Sequence, residues 1–487
     1  MRLSFAAVLS VCAAGVLAGG PFGLAKKPVL GWRSWNPFHA NVNQDIMEAM
    51  MEAMVDRSRT VNGKPTSLLD LGYKSVGLDD NWQACGTGYK GSFHDADGNP
   101  LINTERFPDF KAMNAKAHAL GLLSGWYMNN CICNENQFKD PDYIAKVYQQ
   151  SVSGPNGIVT LGFDGVKLDG CSQFHNTTLW AQLLNDTGRP VLIENCHNSH
   201  PTYPTSANST CPYNWYRSST DINPSWGSIM NNLNSVPQYE EPGAPRSRPT
   251  CWAYPDMLEV GNLPTTLQSR SHFGAWAIVS SPLILGFNLS DSVKMDAVWD
   301  IISNTEVITV NQEWYGTAVL ANTVYPPSPS PTFGTTVNGV KCNTSDARQT
   351  NWKYDAAKAA IVAPSGLCVD GSTASQLTLD TCSGSPSQNF TWSQAAKSPI
   401  VAPDGRCVDV YDFHGPAVQL YACNGGTNQE FSTGPNASIQ DGSGMCLSAG
   451  DAADSAYQIW AKPQADGAVA VFVLNSESSG VATNVTV

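Results

Sequence analysis

Between residues 28 and 311, short apolar runs alternate with amphipathic stretches, and several of the runs end on a carboxylate. This alternation admits few folds. Strands separated by helices pair in parallel, because each crossover returns the chain to the same end of the sheet. Segments 29–35, 73–78, 122–127, 166–168, 191–194, 215–221, 257–260 and 283–287 read as strands. Segments 44–59, 110–119 and 179–184 read as helices, the first with Ile46, Met50, Met54 and Val55 on one side. Units of this kind, repeated over nearly the whole region, predict an α/β fold, a closed (β/α)8 barrel over 27–312.

A barrel of this type carries its chemistry at the carboxyl ends of its strands. Those ends hold Asp79, Asp80, Asp169, Asp221 and Asp256, accompanied by Trp32, Trp35, Trp82, Trp126, Tyr127, Trp215 and Tyr216. Carboxylates accept hydrogen bonds from hydroxyl groups, and aromatic faces stack on the C–H surfaces of sugar rings. Cleavage of a glycosidic bond takes two carboxyl groups flanking it. One Asp at a strand end is more often a helix cap or turn residue; the ordered set points to a sugar site. His39, His94, His118 and His272 are scattered without ligand spacing, so they read as packing or surface residues and no metal is expected. No glycine-rich phosphate loop is present in the sequence, and no cofactor is expected.

The net charge is -13 with 14% charged residues, which disfavours nucleic-acid and anionic-membrane partners, since both need clustered Lys and Arg. Arg2 followed by an apolar run to Ala18 reads as a signal peptide over 1–18. Sequons at Asn176, Asn185, Asn208, Asn288, Asn343, Asn389, Asn436 and Asn484 agree with export. So do the 14 Cys, one of which, Cys12, leaves with the signal and makes the remainder odd. The expected location is extracellular, with a vacuole or lysosome as the alternative.

Past residue 318 the pattern changes. Residues 326–331 read Pro-Pro-Ser-Pro-Ser-Pro, a stiff linker. Gly366-Leu367-Cys368-Val369-Asp370 recurs as Gly405-Arg406-Cys407-Val408-Asp409, each followed by a second Cys and then an Asn and a Phe, which predicts a repeated all-β module over 336–454. Residues 457–487 alternate apolar and polar, as strands do.

The barrel motifs together resemble the α-galactosidase (melibiase) family of retaining glycoside hydrolases. They are Gly31-Trp32-Arg33-Ser34-Trp35-Asn36, Leu78-Asp79-Asp80-Asn81-Trp82, Val166-Lys167-Leu168-Asp169-Gly170-Cys171, Arg217-Ser218-Ser219-Thr220-Asp221 and Pro255-Asp256-Met257-Leu258-Glu259-Val260-Gly261-Asn262, in the family's order. The resemblance implies hydrolysis of terminal non-reducing α-D-galactose by double displacement. Asp169 would be the nucleophile and Asp221 the general acid/base, with carboxyl groups about 5–5.5 Å apart. It further implies that Lys167 and Arg217 are fixed cations in the site, Lys167 keeping Asp169 ionised. Asp79 and Asp80 would bind O4 and O6, Trp35 and Tyr127 would form the pocket wall, and Asp256 would lie near the acid/base and O2.

Three features depart from the family pattern. Cys196-His197-Asn198 stands where Cys-Glu-Trp or Cys-Asn-Trp is usual, so the resemblance puts His197 where an O2 or N-acetyl contact is expected and leaves the C2 substituent open. Tyr254 replaces the usual Asn-Asp before Pro-Asp-Met, and the loop after Tyr127 is short. In the barrel, Cys131 or Cys133 is expected to bridge Cys171, and Cys196 to bridge Cys211, with Cys85 and Cys251 unassigned.

The repeat region resembles the ricin-type β-trefoil lectin. That likeness implies sugar binding, to a galactose-type glycan, by Asp409, Gln419, Tyr421, Asn428 and Gln429. The Asp370 repeat has Thr378 and Asp380 at the corresponding places and is expected not to bind. The third repeat is split between 339–352 and 444–448, which implies a circularly permuted trefoil with close ends, suited to insertion. Bridges Cys368–Cys382, Cys407–Cys423 and Cys342–Cys446 follow. The flanks, 313–335 and 455–487, resemble part of the family's C-terminal antiparallel β-sandwich, which would be incomplete at Val487. The substrate expected is a galactoside oligosaccharide or polysaccharide. The alternatives are an α-N-acetylgalactosaminidase, a β-L-arabinopyranosidase, or a non-catalytic galactose-binding lectin.

Overall fold

The computed structural model describes residues 21–169, 172–196, 204, 206–241, 243–324, 336–343, 346–413, 415–450 and 457–475. The signal peptide, the linker at 326–331, His197 and Cys171 lie outside these residues.

Eight parallel strands form one sheet: β1 Leu30–Arg33, β2 Ser75–Gly77, β3 Leu123–Met128, β4 Gly165–Leu168, β5 Leu192–Asn195, β6 Trp215–Arg217, β7 Trp252–Tyr254 and β8 Leu283–Leu285. They follow one another in chain order, and β8 pairs with β1. Leu258 joins the remaining edges: its N–H donates to Ile284 O at 2.8 Å, and Gly286 N–H donates to its carbonyl at 3.0 Å. The sheet is thereby a TIM barrel.

The seventh strand lies upstream of the expected 257–260. Asp256 adopts φ 87°, a left-handed conformation no strand accommodates, so the chain turns there and only Leu258 returns to the sheet. The first long helix ends at Val55 rather than Arg59, where Asp56 becomes extended. Asn43 caps it by accepting from Ile46 N–H at 2.9 Å, and its buried side is Met47, Met50, Met51 and Met54.

β9 Val319–Val324, Tyr457–Pro463 and Val469–Asn475 form an antiparallel sheet packed on the barrel. Trp460 and Leu474 belong to the barrel core. Phe472 lies over Gly274 of helix Thr266–Ile278 so closely that a Cβ there would stand 2.6 Å from the ring.

Between β9 and Tyr457–Pro463 the chain builds three four-stranded antiparallel sheets around a separate core containing Val369, Val408, Leu447, Phe390 and Phe431. The split repeat is joined by Val337–Lys341 pairing with Met445–Ala449. Cys342–Cys446, Cys368–Cys382 and Cys407–Cys423 are bonded, with Cα atoms 4.9, 5.0 and 5.1 Å apart.

One barrel pairing differs from expectation, and of the two candidates for Cys171 one has another partner. Cys211 bonds Cys251, Cα atoms 6.1 Å apart, and not Cys196. Cys211 and Cys251 enter the neighbouring strands β6 and β7, whereas Cys196 leaves β5 at its carboxyl end. A strand's length separates those ends of the barrel, and a disulfide spans less than about 7 Å between Cα atoms. Cys133 bonds Cys85, which removes it as a partner for Cys171. Cys131 is itself disulfide-bonded.

Candidate active site

The carboxyl ends of the barrel strands gather most of the expected residues. Asp169, half-buried at the end of β4, accepts a 2.6 Å hydrogen bond from Tyr127 Oη of β3. Asn129 Nδ2 in turn donates to Tyr127 Oη at 3.0 Å, which fixes the phenol's direction. Burial, followed by the Asp169 charge, raises the Tyr127 pKa far above its ordinary value, so the phenol remains a proton donor. Trp82 Nε1 donates to the Tyr127 carbonyl at 2.7 Å, so β2's exit also braces this wall.

Behind Asp169 lies a buried charge network. Lys167 Nζ stands 2.9 Å from Asp79 Oδ2, and Arg33 Nη1 3.5 Å from the same oxygen. Arg33 also pairs with Glu194 of β5. Burial acts to lower the Lys167 pKa, but the surrounding acidic groups, Asp79 first among them, together outweigh it and hold the ammonium charged. Lys167 therefore bonds Asp79 directly, while Tyr127 is the direct donor to Asp169. Asp79 is fixed from its other side, its N–H donating to Ser34 Oγ at 2.9 Å. Asp80 is more open, and partial burial, with Asp79 and Asp169 nearby, raises its pKa. Trp35 begins the short helix after β1, half-buried, edge-on to His39.

A second cluster lies at the exits of β6 and β7. Arg217 Nη2 lies 3.0 Å from both Asp221 Oδ1 and Asp256 Oδ2. Asp256 is buried, whereas the Asp221 side chain is 80% exposed at the rim. Ile222 N–H donates to Asp256 Oδ2 at 2.9 Å, and Asn232 Nδ2 donates to the Thr220 and Pro255 carbonyls at 3.0 and 2.9 Å. The loop carrying Asp221 is thus tied to helix Trp226–Asn234 and to the β7 exit. Cys196 connects the two clusters: Arg217 Nη1 lies 3.8 Å from its sulfur, and burial with the Asp169 charge pushes its thiol pKa far up.

Arg33 enters the sequence reading only as a letter of the first barrel motif, and Glu194 only as the last residue of the strand segment 191–194. The signal that could have found them is a charge inside an apolar barrel strand, which has to be paired. Glu259 was likewise unassigned. It accepts from Asn262 Nδ2 at 2.8 Å and from Asn36 Nδ2, and its own N–H donates to His272 Nε2 at 3.0 Å.

Burial pushes the Glu259 carboxyl from 4.5 up to about 7, the two amides pulling the other way. A carboxyl with a raised folded pKa contributes stability that is whole below pH 4.5 and is lost as pH rises through 7. The change corresponds to about 3 kcal/mol. Urea unfolding at pH 5 and pH 8 is expected to show a smaller loss of stability for Glu259→Gln than for the wild type. Parallel losses would show that Glu259 does not titrate in this window.

In the trefoil, Asp409 is buried and accepts from Gln419 Nε2 at 3.1 Å, Asn428 Nδ2 at 3.0 Å and Gln429 Nε2 at 2.8 Å. Tyr421 lies two residues along the strand from Gln419 and is 53% exposed. In the neighbouring repeat, Thr378 and Asp380 occupy the same register positions opposite Asp370 and Cys368. Ser387 Oγ bonds Asp370 there at 3.1 Å.

The family model described as alpha galactosidase A matches residues 27–313, and that of the ricin-type beta-trefoil lectin domain matches 360–469. An alpha-galactosidase of Cyamopsis tetragonoloba is 30% identical over 299 residues, covering 60% of this chain and 66% of that protein. An alpha-N-acetylgalactosaminidase of Gallus gallus is 30% identical over 321 residues, covering 60% and 72%. A solved alfa-galactosidase of Saccharomyces cerevisiae aligns with TM-score 0.49 at 22% identity, covering 62% and 68%. The chain spans 66% and 65% of the lengths of the Cyamopsis and rice relatives.

Proposed function

The chain belongs to the alpha galactosidase A family, and from that membership we propose that it hydrolyses terminal α-D-galactose residues with retention at the anomeric carbon. Asp169 is the nucleophile and Asp221 the general acid/base. The observation that carries this reading is that two carboxylates at the carboxyl ends of β4 and β6 are each anchored by a fixed donor. Asp169 is held by a phenol that stays protonated, and Asp221 by a guanidinium it shares with Asp256. A retaining site requires one carboxylate fixed beneath the sugar and one at the leaving oxygen. Asp79 and Asp80 accept from the O4 and O6 hydroxyls, and the contacts of Lys167 and Arg33 hold the Asp79 carboxylate in place for that task. Trp35 and Tyr127 supply the wall, and Asp256 lies toward O2.

Asp409, Gln419, Tyr421, Asn428 and Gln429 of the trefoil bind a galactose-type glycan, with the exposed Tyr421 ring as the stacking face. The several disulfides suit an oxidising compartment and hence export. Among the described residues no helix is long and apolar enough to cross a membrane.

The test is turnover of p-nitrophenyl α-galactoside beside the α-N-acetylgalactosaminide and the β-L-arabinopyranoside. Preference for the galactoside is expected. Preference for the N-acetyl sugar would keep the mechanism and move the C2 assignment around His197. Preference for the arabinoside, which lacks C6, would remove Asp80 from O6. No turnover by folded protein that still binds galactose would leave the lectin.

A further inference from the structure

One loop of the trefoil reaches the barrel rim. Residues 411–416 join Cys407–Val410 to Val418–Tyr421, closing with Tyr411 N–H on the Ala417 carbonyl and Gly415 N–H on the Tyr411 carbonyl, both at 2.9 Å. Pro416 abuts helix Trp226–Asn234: a Cβ at Gly227 would lie 4.0 Å from Pro416 Cγ. This is the helix whose Asn232 holds the loop of Asp221. Tyr411 feels that carboxylate. Burial first, then Asp412, then Asp221 raise the phenol's pKa.

The other face of the same loop belongs to the trefoil's sugar cluster. Phe413 Cζ is 3.7 Å from where a Cβ of Gly426 would stand, and Gly426 borders Asn428, the partner of Asp409. Asp412 and Phe413 are held at φ 52° and 65°, and Ser443 Oγ donates to the Phe413 carbonyl at 3.1 Å. Two consecutive non-glycine residues in the left-handed region are strained, and such strain persists where surrounding contacts fix it. The outcome is that Tyr411 and Phe413, each 44% exposed, project from a braced loop between the two sites.

A general acid stands beside the glycosidic oxygen, so a trefoil residue brought up to the Asp221 loop lies where the leaving group departs. We propose that Tyr411, supplied by the trefoil, forms the leaving-group side of the catalytic pocket and selects α-galactosides whose aglycone is itself a sugar ring. The proposal rests on Asp221 being the acid/base. Its ring face stacks on the C–H surface of the first aglycone sugar, and the trefoil thereby acts in substrate choice as well as in anchoring.

The experiment compares kcat/KM on an α-galactosylated mannotriose with that on methyl α-galactoside, in the full chain, for wild type, Tyr411→Ala, Tyr411→Phe and Asp409→Ala. An aromatic contact is worth about 0.5–1.5 kcal/mol, which is roughly 2- to 12-fold. Tyr411→Ala is expected to lower the mannotriose-to-methyl preference by that factor, chiefly through KM, and Tyr411→Phe to retain it. An unchanged preference in Tyr411→Ala overturns the proposal. So does a loss reproduced in full by Asp409→Ala, which would assign the effect to the trefoil's own pocket. Failure of the acid/base assignment shows separately, as turnover by Asp221→Ala on both substrates at wild-type rates.

Discussion

Asp169→Asn is expected to lower kcat on p-nitrophenyl α-galactoside by about 10^4-fold or more, the scale seen when a covalent nucleophile is removed. That factor corresponds to about 5.5 kcal/mol of barrier. The substitution is close to isosteric. Asn keeps an oxygen that can accept from Tyr127 Oη, now 2.6 Å from Asp169, so the wall of the pocket stays in place. The change removes the charge and the lone pair that would form the glycosyl-enzyme bond. The Lys167–Asp79–Arg33–Glu194 network has its own internal pairing and loses no partner. Thermal stability and galactose binding are therefore expected to change little. Activity within about 10-fold of the wild type would exclude Asp169 as the nucleophile.

The barrel was legible because its signal is periodic and repeated: apolar runs of strand length, helical spacing between them, and carboxylates at the exits. Boundaries moved where a single residue's conformation decided them, as at Asp256 with φ 87°. The trefoil was legible through its repeat, and its three bridges join cysteines of one repeat or of the split one. The Cys211–Cys251 bond was not, because pairing depends on which end of the barrel each cysteine occupies, and spacing along the chain does not encode that. Arg33 and Glu194 stood in plain view, but their pairing crosses from β1 to β5 through the barrel interior. Tyr411 was missed for a further reason. Within its repeat it is only a loop aromatic, and it acquires meaning from the packing of one module on another.

Asp221→Ala is expected to produce a loss that depends on the leaving group, and this dependence separates it from Asp169→Asn. Removing a general acid costs about 10^2–10^4-fold where the departing oxygen needs a proton. On a galactosylated mannotriose the loss should fall in that range. On a dinitrophenyl α-galactoside, whose phenolate leaves unaided, the first step should survive and breakdown of the glycosyl-enzyme should become limiting, since no base then activates water. Azide needs no base. It should attack the anomeric carbon of the intermediate, displace the Asp169 carboxylate, and yield α-galactosyl azide with restored turnover. Loss of the basic limb of the kcat/KM profile should accompany the change. The fold should tolerate it: Asp221 is 80% exposed, and Arg217, buried, keeps Asp256 at 3.0 Å as its counter-charge. If azide instead gave the β-azide, attack would have come from the face opposite the leaving group with no covalent intermediate, and the two aspartates would have to exchange roles or give up the double displacement.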